Sequence, residues 1–162
     1  MVDTNDFRQT LGNFATGVTV VTMHHDGEDH GMTVNSFTSV SLDPPWVLYN
    51  ADENTRSHEF TQKASNYAVN ILAEDQQWLS DRFAGPHEKM DDPFADVETT
   101  RKETGALVFE NCLGYVDCEV VRSYEGGDHV IYVGDVQAQG TERPEASPLT
   151  YFRGEYGSIK PR

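Results

Sequence analysis

Lysine is scarce in this chain. Four of the 162 residues are Lys and eight are Arg, against 27 Asp and Glu, so the formal net charge is −15. A surface of that sign repels nucleic acid and anionic membranes, and neither is expected as a partner. Cysteine is nearly absent: Cys112 and Cys118 do not make a disulfide framework, and they do not form Cys-x-x-Cys. No stretch approaches the ~20 apolar residues of a membrane-spanning helix. The start, Met1 to Asp6, lacks the basic and apolar regions of a signal peptide. A cytoplasmic location is therefore expected. No Gly-x-Gly-x-x-Gly follows a strand, which disfavours a Rossmann nucleotide site, and no Gly-x-Ser-x-Gly elbow occurs.

Aromatic and β-branched residues are plentiful, so the acidity does not signal disorder. The length suits one domain, 1–162, with a substantial core and no internal repeat or linker. Salt-adapted proteins carry such an acidic excess, because in molar salt the Debye length shrinks to about 3 Å and self-repulsion is screened. A halophilic cytoplasm is the expectation, with an ordinary acidic protein as the alternative.

Along the chain, 4–13 reads as a short helix, capped by Thr4 or Asn5, with Phe7, Leu11 and Phe14 near one face. Val18 to Met23 is a β-branched strand, and Asp26-Gly27 supplies the positive φ of a tight hairpin. The segment 31–45 reads as one or two strands closed by Pro44-Pro45, followed by a strand at 46–49. A helix to Ala64, a buried strand at 67–72 and a helix at 75–83 come next, the last with Trp78, Leu79 and Phe83 on a common side. Residues 85–104 read as a long loop, the kind that often serves a site or an interface. Strands are expected at 107–109, 115–124 and 129–139, with one last short strand from Leu149. Some seven strands joined mostly by hairpins, with three helices, favour a mainly β, antiparallel barrel over a doubly wound parallel sheet.

The segment Gly31-Met32-Thr33-Val34-Asn35-Ser36-Phe37-Thr38-Ser39-Val40-Ser41-Leu42-Asp43-Pro44-Pro45 is rich in hydroxyls and nearly uncharged. A strand crowded with Thr, Ser and Asn cannot bury unpaired polar groups cheaply. Those groups either cap local backbone or hold a polar ligand against the sheet. In Asn54-Thr55-Arg56-Ser57, Arg56 offers a bidentate fork and Ser57 is placed to start a helix whose free amides attract anions. That makes it the best phosphate site in the chain; otherwise Arg56 simply balances Glu53 or Glu59 on the surface. His24, His25 and His30 flank an acidic turn, but their spacing fits no zinc pattern, and His87-Glu88 lacks the second His of a zinc protease helix. No metal site is expected.

The 31–45 segment resembles the signature of the short-chain flavin reductase family, the reductase components of two-component flavin monooxygenases. Phe14-Ala15-Thr16-Gly17-Val18-Thr19-Val20-Val21-Thr22, Gly127-Asp128-His129 and Tyr151-Phe152-Arg153-Gly154-Glu155-Tyr156 are similar to the same family, in order over nearly the whole chain. The resemblance implies a Greek-key, FMN-binding split β-barrel working as a homodimer, with the flavin near the subunit interface. It also implies an NAD(P)H:flavin oxidoreductase, with NADH or NADPH as co-substrate and a partner monooxygenase as the destination of reduced flavin.

By the same resemblance, Thr33, Val34, Asn35 and Ser36 line the flavin ring, and Ser39 and Val40 approach its ribityl or phosphate side. Asn54, Arg56 and Ser57 take the phosphate. Phe83 lies near the flavin, or is core. His129 faces the nicotinamide and positions it rather than acting as acid or base. Arg153 meets a phosphate and Tyr156 stacks near flavin or nicotinamide, unless this is only a terminal strand packing its aromatics. Relatives often carry His where this chain has Phe152. FMN is preferred over FAD. The alternatives are a tightly bound FMN flavoprotein acting on another substrate or electron-transfer partner, or a non-catalytic flavin- or haem-binding dimer.

Overall fold

The computed structural model describes residues 1–85 and 90–159. Among these the chain runs α1 (Thr4–Leu11), β1 (Thr16–Gly17), β2 (Thr19–His25), β3 (Glu28–Val34), β4 (Phe37–Leu42), β5 (Pro45–Asp52), α2 (Arg56–Ala64), β6 (Asn66–Ile71) and α3 (Gln77–Phe83). It continues with β7 (Thr99–Arg101), β8 (Leu107–Phe109), β9 (Gly114–Glu125), β10 (His129–Thr141), β11 (Leu149–Phe152) and β12 (Glu155–Ser158). Seven strands form the main sheet in the order β3-β2-β6-β9-β10-β5-β4, with antiparallel neighbours throughout. The expected mainly β, antiparallel class is what the chain adopts.

β2 explains much of the layering. Its run Thr19 to Met23 is buried without alternation, because both of its faces are covered. Val21 and Met23 join Val47, Tyr49, Tyr67, Val69 and Tyr132 in one core, while Val18 and Val20 join Leu72, Leu79, Phe83 and Phe109 in a second. α2 seals the first core with Phe60 and is pinned there by polar contacts. Tyr49 Oη lies 2.6 Å from Thr61 Oγ1, Thr61 Oγ1 donates to Ser57 O at 2.8 Å, and Tyr132 Oη lies 2.8 Å from His58 Nδ1. α3 and the β7–β8 hairpin close the second.

Several local expectations shift. Asp3, not Thr4 or Asn5, caps α1, its carboxylate accepting from the amides of Asn5 and Asp6. Pro45 opens β5 rather than closing the preceding strand. Trp78 does not share the buried side of α3: Leu79 and Phe83, four apart, are buried, whereas Trp78 is exposed and carries the Arg82 guanidinium over its ring at 4.8 Å. The expected loop at 85–104 contains β7, whose Arg101 grips Asp29 through two bonds of 2.8 and 2.7 Å. The tail holds two strands, not one, joined by a turn in which Arg153 and Gly154 have φ of 52° and 84°. Both cysteines are free and buried, and burial pushes the Cys112 thiol up to about 11. His87 and Glu88 lie outside the described residues.

Candidate functional site

The hydroxyl-rich segment does not lie against one surface. It divides between two recesses. Thr33, inside β3, faces a cavity of about 460 Å³ bounded by His30, Met32, the 54–57 segment and the end of α3 from Phe83 to Gly85. Asn35 and Ser36, in the bend between β3 and β4, face a groove of about 700 Å³ between the α1–β1 segment and β5. Val34 is buried between them, its carbonyl accepting from Thr19 Oγ1 at 2.7 Å.

The cavity gathers Thr33, Asn54, Arg56, Ser57 and Phe83 around one space. Its polar groups are held by the protein itself. Thr33 Oγ1 donates to Ser80 O at 2.6 Å. Ser80 Oγ is 2.7 Å from Tyr156 Oη, so β3 and β12 are both tied to α3 at Ser80, one through its carbonyl and the other through its hydroxyl. Ser57 is buried, with Oγ 2.7 Å from Nε2 of His30, whose ring stacks on Phe60 with centroids 5.4 Å apart. Thr55 caps α2, accepting from the amide of His58 and donating to Asp52 O. Arg56 and Ser57, the first two residues of α2, line the cavity, so the helix start borders it, and a helix start favours anions.

Arg56 is the cation at this end, 60% exposed. Its carboxylate neighbour is Glu28, at 3.8 Å, and not Glu53 or Glu59. At that distance and exposure the pair holds the guanidinium only weakly, leaving its fork available. Phe83 packs in the second core against Phe94 and Phe109, the core alternative expected of it, and it also lines the cavity. Gly31 makes that packing possible, since a Cβ there would stand 2.8 Å from Phe83 Cδ1.

The groove is the less satisfied of the two recesses. Ser36 Oγ donates to Asn50 O at 3.2 Å. Two buried oxygens that no protein group satisfies among the described residues, Thr16 Oγ1 and Asn50 Oδ1, belong to residues that line it.

The remaining expected residues lie elsewhere. Ser39 and Val40 are exposed on β4, an edge strand that among the described residues pairs only with β5, and Val40 sits at a register shift. His129 begins β10 opposite Asp52, with Nδ1 2.8 Å from Asp128 Oδ1, outside the cavity wall. The amide of Glu53 donates to Asp128 O at 3.1 Å, so the His129 turn abuts the segment that leads into α2. Its imidazole hydrogen bond holds the Asp128 carboxyl below the usual carboxylate range. Arg153 is not brought to the cavity. It sits at the tip of the β11–β12 turn, donating from Nε to Asn13 Oδ1 at 2.8 Å, in a separate recess shared with Arg8. Tyr156 reaches the cavity only through Ser80.

Sequence reasoning missed His30, Ser80, Thr16 and Asn50. From sequence, His30 reads only as a candidate metal ligand beside His24 and His25. Its alternation with Met32 on β3 was the available sign that it faces the same space. Ser80, Thr16 and Asn50 carry no local signal, because their partners or neighbours come from distant strands.

The cavity's donor set suits a phosphate-bearing ligand: helix amides, one available guanidinium and a fixed Ser hydroxyl, beside an aromatic wall. The fold around this cavity is antiparallel and mainly β. The comparisons with known proteins agree. The family model for the flavin reductase like domain matches residues 11–160, and the chain belongs to that family. It is 40% identical to the reductase component of 4-nitrophenol 4-monooxygenase/4-nitrocatechol 2-monooxygenase from Rhodococcus opacus, over 99% of this chain and 83% of that protein. Among solved structures, flavin reductase PheA2 in its native state is 38% identical, with 99% of this chain and 100% of that chain covered and a TM-score of 0.88. The NADH:FAD oxidoreductase SgcE6 of Streptomyces globisporus C-1027, solved with NAD and FAD fragments, is 34% identical over 99% and 97% of the two chains, with a TM-score of 0.89.

Proposed function

We propose that this flavin reductase holds FMN, with FAD as the second choice, so that the phosphate meets the first turn of α2 and the ring lies along 33–36. The observation that carries the reading is the convergence of Thr33, Asn54, Arg56, Ser57 and Phe83 on one cavity beside that helix start. A bound flavin supplies the hydride acceptor, and a reduced nicotinamide supplies the hydride. The protein's part is orientation, since this transfer needs alignment more than a protein base. Arg56 and the α2 amides fix the phosphate end. Thr33, itself fixed by Ser80, borders the ring, with Tyr156 bracing Ser80 from behind. His129, beside the segment entering α2, orients the nicotinamide. Ser39, Val40 and Arg153 act outside this cavity.

The single domain spans the whole chain and functions as a homodimer. Phe7, Leu11 and Phe14 support that: α1 buries none of its residues, and these three are more than half exposed. Reduced flavin then passes to a partner monooxygenase in the cytoplasm. No helix among the described residues is long and apolar enough to cross a membrane. The acidic surface adapts the protein to salt, and its melting temperature is expected to rise with added salt as self-repulsion is screened.

Steady-state oxidation of NADH and of NADPH, with and without added FMN or FAD, tests the reading. Turnover that rises with added flavin is expected. A yellow protein that never oxidises nicotinamide would point instead to a flavoprotein acting on another substrate.

A further inference from the structure

Thr16 Oγ1 and Asn50 Oδ1 are buried without a hydrogen-bond partner among the described residues. Leaving such a group unsatisfied is costly, so two in one recess are not incidental. They come from distant parts of the chain. Thr16 belongs to β1 in the small sheet, paired with Tyr151, and Asn50 belongs to β5, paired with Ile131. Both line the same groove, with Asn35 and Ser36 beside them and Leu11 and Phe14 on the α1 side. The apolar side chains suit a flat ring, and the oxygens call for a donor on its rim.

We propose that Asn50, seconded by Thr16, reads the amide edge of the redox ring. A carboxamide presents an acceptor beside a donor, whichever way round it is placed, and a hydroxyl can do either. The complementary edge is an N–H beside a carbonyl. The imide edge of a flavin has it, and so does the carboxamide of a nicotinamide. Asn50 would accept from the N–H and donate to the neighbouring carbonyl. This rests on the functional reading above and adds to it a specificity-determining residue outside the phosphate cavity.

The test compares wild type with Asn50→Leu, a near-isosteric change. Affinity is measured for FMN and for 3-methyl-FMN, which has lost the imide N–H. KM is measured for NADH and for its reduced 3-acetylpyridine analogue, which has lost the carboxamide N–H. Wild type should prefer the N–H-bearing ligand in one arm by about tenfold or more, and Asn50→Leu should lose that preference. Collapse in the flavin arm places the flavin edge at Asn50, and collapse in the nicotinamide arm places the nicotinamide there. The ligand-free variant should melt no lower than wild type, because replacing an unpartnered buried polar group by an apolar one is neutral or stabilising. Thr16→Val repeats the measurement if Asn50→Leu does not fold. Preferences that survive unchanged in both arms overturn the proposal, as does a lowered melting temperature with intact preferences. Wild type that neither takes up flavin nor oxidises nicotinamide overturns the functional reading, and this proposal with it.

Discussion

The cavity beside α2 and the groove beside α1 hold their polar atoms in opposite ways. In the cavity, Thr33 is tied to Ser80, Ser57 to His30 and Thr55 to Asp52 and His58. In the groove, Thr16 and Asn50 each keep a buried oxygen that no described protein group satisfies. A receptor for a phosphate gains from being fixed in advance, because its charge-assisted bonds act best from a rigid frame. An edge that reads a ring's N–H must leave its acceptor to the ligand. On the proposed reading, the rigid recess receives the flavin's charged end and the unsatisfied one a ring edge.

Substitutions in the cavity frame sharpen that contrast, beginning with the largest effect. Gly31→Ala places a methyl against Phe83 and should cost about 1–3 kcal/mol of stability, seen as a lower melting temperature. Should this variant melt like wild type, the Phe83 wall is not rigid and the contrast weakens.

Asp29 comes next. Burial raises its pKa, but hydrogen bonds from Arg101 and His24 outweigh that and hold the carboxyl below its ordinary value. The bonded form therefore stabilises the fold above the unfolded pKa of about 4 and loses its effect as pH falls through the folded value. Asp29→Asn should lower the melting temperature at neutral pH, by an amount equivalent to about 1 kcal/mol. The gap to wild type should close on acidification below about pH 4. A gap independent of pH would mean that Asp29 ties the β2–β3 hairpin to β7 through something other than its charge.

Arg56→Ala should have the smallest effect on stability, below about 0.5 kcal/mol, since its pair with Glu28 is long and exposed. Its flavin affinity should nonetheless fall about tenfold or more, as expected for loss of a charge-assisted bond. A large loss of stability with unchanged flavin affinity would reverse the assignment of this residue.

Local chemistry explains which features sequence reasoning could reach. The Asp26-Gly27 turn and the buried β2 run were readable because each depends on neighbours within a few residues, whereas α2 starts at Arg56 behind a Thr55 cap, one residue before the expected Ser57. Arg153 was misplaced because a Phe-Arg-Gly-Glu run does not reveal that Arg153 adopts a left-handed conformation and turns the chain into a second strand. β7 was hidden in a polar segment because its pairing with β8 and the Arg101–Asp29 contact are set by tertiary structure. The continuous 31–36 run suggested one surface, but the bend at Asn35-Ser36 divides it between two recesses. The anchoring of Ser57 by His30 spans 27 positions and leaves no local trace.

The most direct measurement is the affinity of wild type and of Arg56→Ala for FMN and for riboflavin, which lacks the phosphate. If the start of α2 holds the phosphate, wild type binds FMN more tightly by about tenfold or more, and the variant loses most of that advantage. Equal affinity of wild type for the two flavins would contradict it.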